Sequence, residues 1–288
     1  MLGFSLSPGG LLLPYHLGAL ASLSYHGYIT DSTALAGSSA GAIAVASHAS
    51  GVDSLKALDA STRVSAQCFN PFFVAGGGLL PSLQSELDKM LPPQAHQVVN
   101  EREGLVALAH RELFPNNQPV LATEFPTRQS LMDAVCDSSM FPYFLTNGPA
   151  RTVKRHNKVL PRVVVDGVFA CPWERIGCPE LDGVVDRTVT ISVFPPKPLL
   201  GLTTMLNDDK IGPELESTPQ GAALQTANLV RMATQGSTKQ ELRNLYENGW
   251  SDAERWANQD KRRQSEKKAA REQQAAVVAA ASRRRRTP

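Results

Sequence analysis

The sequence predicts an α/β protein with three layers, in which helices cover both faces of a mainly parallel central sheet. Two strand–turn–helix units lie within the first 50 residues, and units of this length favour parallel strands with helices packed across them. Two later runs, Val163–Val165 and Val189–Val193, are rich in valine and isoleucine, as expected for strands buried on both faces. With 288 residues, 42% hydrophobic and 19% charged, the chain can bury one sizeable core.

The predicted elements follow from apolar patterning and glycine turns. The first unit is the strand Phe4–Leu6, a glycine turn and a helix over Leu11–Tyr25. The second unit is the strand Thr33–Ala36 and the tight turn Gly37–Gly41, which leads into a small-residue helix. The remaining predictions are helices over Ala42–Ser50, Asp53–Phe69, Pro81–Met90 and Arg128–Asp137, and strands over Leu105–Ala109 and Val120–Thr123.

The C-terminal third changes in composition. After Pro219 the pattern turns helical, and from about Asp260 it is rich in Lys, Arg, Glu, Gln and Ala. From Lys239 onward 13 Lys/Arg stand against 7 Asp/Glu, whereas the preceding residues carry 16 against 20. We therefore predict a main domain over 1–200, a helical extension on or near the core over 201–258, and a basic, exposed helical tail over 259–288.

The composition also indicates the cellular compartment and the kinds of binding partner to expect. The widely spaced cysteines indicate reduced thiols and hence a cytoplasmic location: Cys68, Cys136, Cys171 and Cys178. No run approaches the roughly 20 apolar residues of a membrane span, so contact with membranes or lipid droplets is expected to be peripheral. Gly3–Ser7 predicts a strand rather than a signal peptide. The basic tail fits anionic lipid headgroups, a solvated helix or, at Arg283–Arg286, a nuclear-import or nucleic-acid patch. No aromatic residue is interleaved with these arginines, and no specific nucleic-acid partner is expected.

The turn Gly37–Gly41 fits a nucleophile elbow, Gly-x-Ser-x-Gly, with Ser39 at its centre. Side chains at Gly37 and Gly41 would collide with the neighbouring strand and helix. The helix that follows supplies free N–H groups and a positive dipole, which suit a developing oxyanion. Ser39 is therefore the candidate nucleophile, and an ordinary strand–helix turn is the alternative.

A conventional Ser-Asp-His triad does not fit, because the last histidine is His156 and too little chain precedes Ser39. A carboxylate held within hydrogen-bond reach can take the serine proton directly. Asp166 follows the apolar strand Val163–Val165, at the edge where side chains of a parallel sheet face a ligand crevice. Gly167 next to it permits close approach to the elbow, although Asp-Gly is also a common turn dipeptide.

These motifs together resemble the patatin-like phospholipase family, over roughly residues 3–195. That family pairs a Gly-x-Ser-x-Gly serine with the aspartate of an Asp-Gly-Gly or Asp-Gly-Ala motif, and forms its oxyanion hole from a glycine-rich turn after the first strand. The segment Ser5–Gly18 resembles that turn and helix, and Ser138–Pro142 resembles the family's small-residue segment ending in proline. The resemblance implies a three-layer patatin-like fold, a Ser39–Asp166 dyad, and an oxyanion hole from Gly9, Gly10 and Ala40.

The resemblance further implies a lipid acyl hydrolase, of phospholipase A or triacylglycerol lipase type, acting on a glycerolipid or phospholipid without cofactor or metal. His16, His48 and His110 have no partners at metal-ligand spacing, and we expect His16 to be structural. Pro8 departs from the family's glycine and has no N–H to donate; Leu12 and Val168 are further departures. A weak or inactive lipid-binding relative and a lipid transacylase are the alternatives. Phe69, Phe72 and Phe73 could line an acyl channel or a lid, or be ordinary core and loop residues.

Overall fold

The computed structural model describes residues 1–69, 78–154, 160–195 and 209–284. Its strands are β1 (Leu2–Leu6), β2 (Ala34–Ser38), β3 (Val106–Phe114), β4 (Gln118–Ala122), β5 (Arg151–Val153), β6 (Arg162–Val165), β7 (Arg187–Ile191) and β8 (Lys210–Ile211). Its helices are α1 (Leu13–Tyr25), α2 (Ala40–Ala49), α3 (Ser54–Ala66), α4 (Leu79–Met90), α5 (Ala95–Asn100), α6 (Arg128–Ser138), α7 (Pro219–Thr234) and α8 (Lys239–Arg284). Phe72 and Phe73 lie outside the described residues.

Several helices begin at side chains that satisfy the free N–H groups of the first turn. Asp53 precedes α3 and accepts hydrogen bonds from the N–H groups of Leu55 and Lys56. Thr127 and Ser130 form a reciprocal capping box at the start of α6. Thr218 caps α7, whose first residue is Pro219. Proline suits this position because an N–H there would have no acceptor within the helix.

Across the described ranges the strands form one eight-stranded sheet in the order β5-β6-β3-β2-β1-β7-β8, with β4 beside β3. The strands β3, β2, β1, β7 and β8 run parallel to one another. In contrast, β4 and β6 pair antiparallel with β3, and β5 pairs antiparallel with β6. Helices lie on both sides of this mixed sheet, so the predicted three-layer α/β fold is confirmed.

The prediction that Val163–Val165 ends in the parallel part of the sheet is wrong, because these residues form β6, which runs the other way. β3 is nine residues long, and its pairing with β2 stops where Ala109 lies opposite Ser38. The rest of β3 overhangs the end of β2, and β6 returns along this overhang with Val165 opposite Arg111. The C-terminal end of β6 therefore arrives beside the C-terminal end of β2.

The main hydrophobic core lies between the sheet and the helices that include α1, α2 and α8. Phe4, Leu35 and Leu108 on neighbouring strands are completely buried in it. The opposite face of the same strands carries alanines that pack against Leu181, a residue of the loop between β6 and β7. Because burial on both faces excludes water from the central strands, the apolar patterning predicted most of them.

The C-terminal helix α8 packs closely on α1. A β-carbon on Gly18 of α1 would lie 1.9 Å from the carbonyl oxygen of Tyr246, and one on Gly249 of α8 would lie 2.0 Å from that of Tyr15. The Trp256 ring then packs edge-on against Phe4, with 5.8 Å between centroids. One face of the first 22 residues of α8 is thus part of the core. The predicted domain boundaries at 200 and 258 stay predictions.

Beyond Asp260 the helix leaves the body of the protein. Asp260 itself is buried and accepts hydrogen bonds from Arg187 and Tyr28. Every residue from 261 to 274 is exposed, which agrees with the predicted exposed helical tail. No helix in the described ranges is both long enough and apolar enough to cross a membrane.

Candidate active site

Ser39 occupies the sharp turn between β2 and α2, and its backbone is in an unusual conformation. Its φ of 53° and ψ of −120° lie in a region that residues with a side chain rarely adopt, at a cost of order 1–3 kcal/mol. The close approach of β2, α2 and β1 explains the two glycines: a β-carbon on Gly37 would lie 2.4 Å from the Gly41 oxygen, and one on Gly41 would lie 2.6 Å from the Leu6 oxygen. The sequence pattern therefore forms a strained elbow at a helix N-terminus.

Ser138, the last residue of α6, holds this elbow in place. The Ser39 N–H donates to Ser138 Oγ at 2.9 Å, and the Ser138 hydroxyl donates to the carbonyl oxygen of Ala109 at 2.5 Å. Ser138 is completely buried. The hydroxyl thus connects the backbone of Ser39 to β3, a function that sequence reasoning missed although it placed Ser138 in a motif.

Asp166 follows β6 and begins a one-turn 3-10 helix over Gly167–Phe169. Its N–H donates to the Met140 oxygen at 3.1 Å, and its Oδ1 accepts from the Val168 N–H at 2.9 Å. A β-carbon on Gly167 would lie 2.7 Å from Ser38 Cβ, so the glycine permits the close approach to the elbow that the sequence predicted. Asp166 therefore lies directly beside the end of β2.

The second carboxylate oxygen of Asp166 is available for chemistry. Oδ2 is buried and has no hydrogen-bond partner in the part of the chain that the structure describes. Burial raises the pKa of Asp166 to about 7, and the opposing effects of the Val168 N–H and the Ser39 hydroxyl are smaller. Ser39 and Asp166 line the same cavity, although no hydrogen bond of ordinary geometry joins their side chains.

Gly9, Gly10 and Ala40 lie around the same cavity as Ser39 and Asp166. Gly10 has a φ of +56°, and a β-carbon there would lie 2.3 Å from the carbonyl oxygen of Ala233 in α7. Gly10 and Ala40 each begin a helical segment, where N–H groups have no intrahelical acceptor. Pro8 also lines the cavity but has no N–H, so donors on this side must come from the glycines that follow.

The cavity has a volume of about 460 Å³ and is largely apolar. The side chains that give it this character include Leu11, Ile43, Leu79, Leu83, Phe144 and Leu145. Ala233 and Thr234 from the end of α7 also line it, although the sequence offered no signal that this distant segment reaches the site. An elbow serine, a buried carboxyl and free N–H groups around an apolar cavity suit the cleavage of an ester with a long hydrocarbon chain.

None of the histidines in the described ranges lines this cavity. His16 is fully buried, its Nε2 lies 2.8 Å from the Ser7 oxygen, and burial lowers its pKa to about 4. It therefore stabilises the turn before Pro8 as a neutral ring, in agreement with its predicted structural role. The described residues contain no group of three or more His, Cys, Asp or Glu that could hold a metal ion.

Comparison with known proteins identifies the family. Residues 4–175 match the family model described as "Patatin-like phospholipase". The human protein "Patatin-like phospholipase domain-containing protein 4" is 26% identical over 262 residues, which cover 87% of this chain and 94% of the relative. VipD from Legionella pneumophila, a solved structure, is 13% identical with a TM-score of 0.48; the match covers 89% of this chain and 66% of VipD.

Because the family model matches more than half of the chain, the protein belongs to the patatin-like phospholipase family. This membership places it among the lipid acyl hydrolases, with lipids as the class of substrate.

Proposed function

We propose that the protein is a serine lipid acyl hydrolase of phospholipase A or triacylglycerol lipase type, with Ser39 as nucleophile and Asp166 as the other catalytic side chain. The observation that carries the proposal is that Ser39 and Asp166, whose buried Oδ2 has no partner in the described chain, line one largely apolar cavity. A carboxyl group with a pKa of about 7 is well matched to proton transfer at neutral pH.

In the acylation step, Oδ2 of ionised Asp166 accepts the Ser39 proton while Oγ attacks the ester carbonyl carbon. The oxyanion that forms receives hydrogen bonds from the N–H groups of Gly9, Gly10 and Ala40. Collapse of this intermediate breaks the bond to the glycerol oxygen, which takes the proton from Asp166 and leaves as an alcohol. The acyl group remains on Ser39.

Deacylation reverses the proton movements with water in place of the alcohol. Asp166 accepts a proton from the water molecule as it attacks the acyl-enzyme, and the same N–H groups stabilise the second oxyanion. The fatty acid leaves, and Ser39 recovers its proton from Asp166. Each proton moves through the one carboxyl group, so the scheme uses no histidine.

Exposed aromatic residues support contact of this site with a lipid surface. Phe141 and Tyr143 line the cavity, yet 48% and 57% of their surfaces face solvent. Large apolar side chains at the mouth of an apolar cavity are stabilised when they enter the headgroup region of a membrane or lipid droplet. Transient, peripheral binding to such a surface is therefore part of the proposal.

The test is release of fatty acid from a mixed phospholipid and triacylglycerol emulsion by wild type, Ser39→Ala and Asp166→Asn. We expect turnover by wild type and its loss in both variants. Activity that survives Ser39→Ala would assign the nucleophile to another residue. Lipid binding without turnover by wild type would favour the non-catalytic alternative, which the missing N–H of Pro8 suggests. Transfer of the acyl group to an added alcohol would favour a transacylase.

A further inference from the structure

A small apolar gap adjoins the active-site cavity, between helices α3 and α4. Its volume is about 60 Å³. The gap and the cavity share five lining residues: Gly10, Leu11, Ile43, Val64 and Leu83. Because Gly10 belongs to the proposed oxyanion hole, the gap adjoins the cavity on the side where the acyl group of a bound ester would lie.

Two matching helix faces form the walls of this gap. The residues of α3 that line the gap are Ala57, Ala60, Ser61 and Val64, and those of α4 are Leu83, Glu86, Leu87 and Met90. Both sets have the spacing i, i+3, i+4, i+7, so each is one stripe along its helix. Protein interiors are normally packed with few voids, and the gap exists because α3 presents three small side chains to the larger ones of α4.

The charged side chain in this lining, Glu86, is neutralised by two cations. Glu86 Oε2 accepts hydrogen bonds from Arg63 at 2.7 and 3.0 Å, and its Oε1 lies 3.1 Å from Lys89 Nζ. These contacts, the hydrogen bond from Arg63 above all, hold the pKa of Glu86 below its usual value. The carboxylate therefore stays paired with cations and offers no free acceptor to a ligand in the gap.

We propose that the gap is the inner end of a channel for the acyl chain, and that the small residues of α3 set the length of chain the enzyme accepts. The inference rests on the proposed function, because an ester carbonyl at Ser39 fixes where the chain begins. From there an apolar chain passes Leu11, Ile43 and Leu83, which line both spaces, and its end lies against Ala57, Ala60 and Met90, which line only the gap.

The size of the gap determines the expected effect of filling it. A volume of 60 Å³ holds about two methylene-sized groups, since a water molecule occupies about 30 Å³ in the liquid. Each buried methylene contributes about 0.8 kcal/mol, which is about fourfold in kcat/KM. Ala60→Val adds two methyl-sized groups, so we expect the ratio of kcat/KM for a palmitoyl ester to that for a butyryl ester to fall about 15-fold.

The experiment measures this ratio with p-nitrophenyl esters of four to sixteen carbons, using the full-length chain. Using a ratio removes any difference in the amount of folded enzyme. Ala66→Val is the matched control, because it makes the same substitution at an exposed position of α3 and should leave the ratio unchanged. Met90→Ala, which enlarges the gap, should move the preferred ester to a longer chain. Equal ratios in Ala60→Val and Ala66→Val would overturn the channel.

A binding measurement separates this inference from the proposed function. Saturated fatty acids of increasing length compete with a fluorescent fatty acid for wild type and for Ala60→Val. If the esters are not hydrolysed but Ala60→Val still weakens binding of the longest acids selectively, the channel stands and the hydrolase proposal fails. Hydrolysis with identical chain-length profiles in wild type and Ala60→Val would support the hydrolase and refute the channel.

Discussion

Replacing Asp166 with asparagine should destroy activity and, at the same time, stabilise the folded protein at high pH. Burial raises the pKa of this carboxyl from 3.8 to about 7 in the folded state. Below about pH 4 the carboxyl is protonated in both folded and unfolded chains. Between about pH 4 and 7 the unfolded chain alone releases the proton, so each pH unit removes about 1.4 kcal/mol from the free energy of unfolding. Above about pH 7 both states are ionised and the loss is complete.

The free energy of unfolding falls by about 4 kcal/mol over these three pH units. Asparagine does not titrate, so Asp166→Asn should abolish this decrease. The assay is urea unfolding, followed by tryptophan fluorescence, of wild type and variant at pH 4 and pH 8. For each protein, the free energy of unfolding at pH 8 is subtracted from that at pH 4. The value for Asp166→Asn is then subtracted from the value for wild type. All other titrating groups cancel in this difference, as does any pH-independent effect of the asparagine. Ser39→Ala is the control: it keeps the buried carboxyl and removes only a hydroxyl that lowers the pKa of Asp166, so its loss of stability should be at least as large as that of wild type.

Activity should show the opposite dependence on pH, because only ionised Asp166 can accept the Ser39 proton. We expect kcat/KM to rise with pH through an apparent pKa near 7, and Asp166→Asn to lower it by a factor of 10² or more. Identical pH dependence of stability in wild type and Asp166→Asn would refute the reasoning, because it would mean that burial does not raise the pKa of this carboxyl. An activity profile that is flat between pH 5 and 8 would argue against Asp166 as the base.

Two further predictions concern residues that position the site. Ser138→Ala leaves the buried N–H of Ser39 without its acceptor, so it should reduce the free energy of unfolding by about 1–3 kcal/mol and lower kcat more than it raises KM, as measured by urea unfolding and steady-state kinetics. Gly249→Ala should lower Tm although alanine is the better helix former by about 1 kcal/mol, because the new β-carbon would lie 2.0 Å from the Tyr15 oxygen; an increase in Tm would show that α8 does not pack on α1 as described.

The placement of Ser39 was predictable because it depends on residues close together in the sequence. Two glycines, a preceding apolar strand and a following small-residue run define the elbow within about fifteen residues. The observed contacts of Gly37 with Gly41 and of Gly41 with Leu6 are the collisions that the pattern implied. Local sequence therefore determines the geometry of the turn that carries Ser39.

The surroundings of Asp166 could be predicted only in part from the sequence. Its position after an apolar strand correctly placed it at the edge of the sheet, but the direction of that strand was predicted wrongly. Direction depends on pairing with the overhanging half of β3, more than 50 residues earlier, and apolar patterning is the same for parallel and antiparallel strands. The short strands β5 and β8 were missed for a related reason, since three and two residues give too little pattern to detect.

The contributions of α6 and α7 to the site could not be read from the sequence either. Ser138 is one of many small polar residues, and its role depends on where the end of α6 meets the elbow. Ala233 reaches Gly10 only because α7 folds back across the first turn of the chain. Such contacts join segments more than 90 residues apart and leave no periodic signal.

Because β6 pairs with the overhanging part of β3, the number of residues in β6 determines how far Asp166 lies from Ser39. The pairing of β6 with β3 shifts register between Glu112 and Phe114, next to the buried ion pair of Arg162 and Glu112. A strand advances about 3.4 Å per residue and alternates its faces, so one residue inserted into β6 would both displace the carboxyl and turn it away from the elbow. The four residues Arg162–Val165 should therefore tolerate no insertion, because their register with β3 fixes where the carboxyl lies.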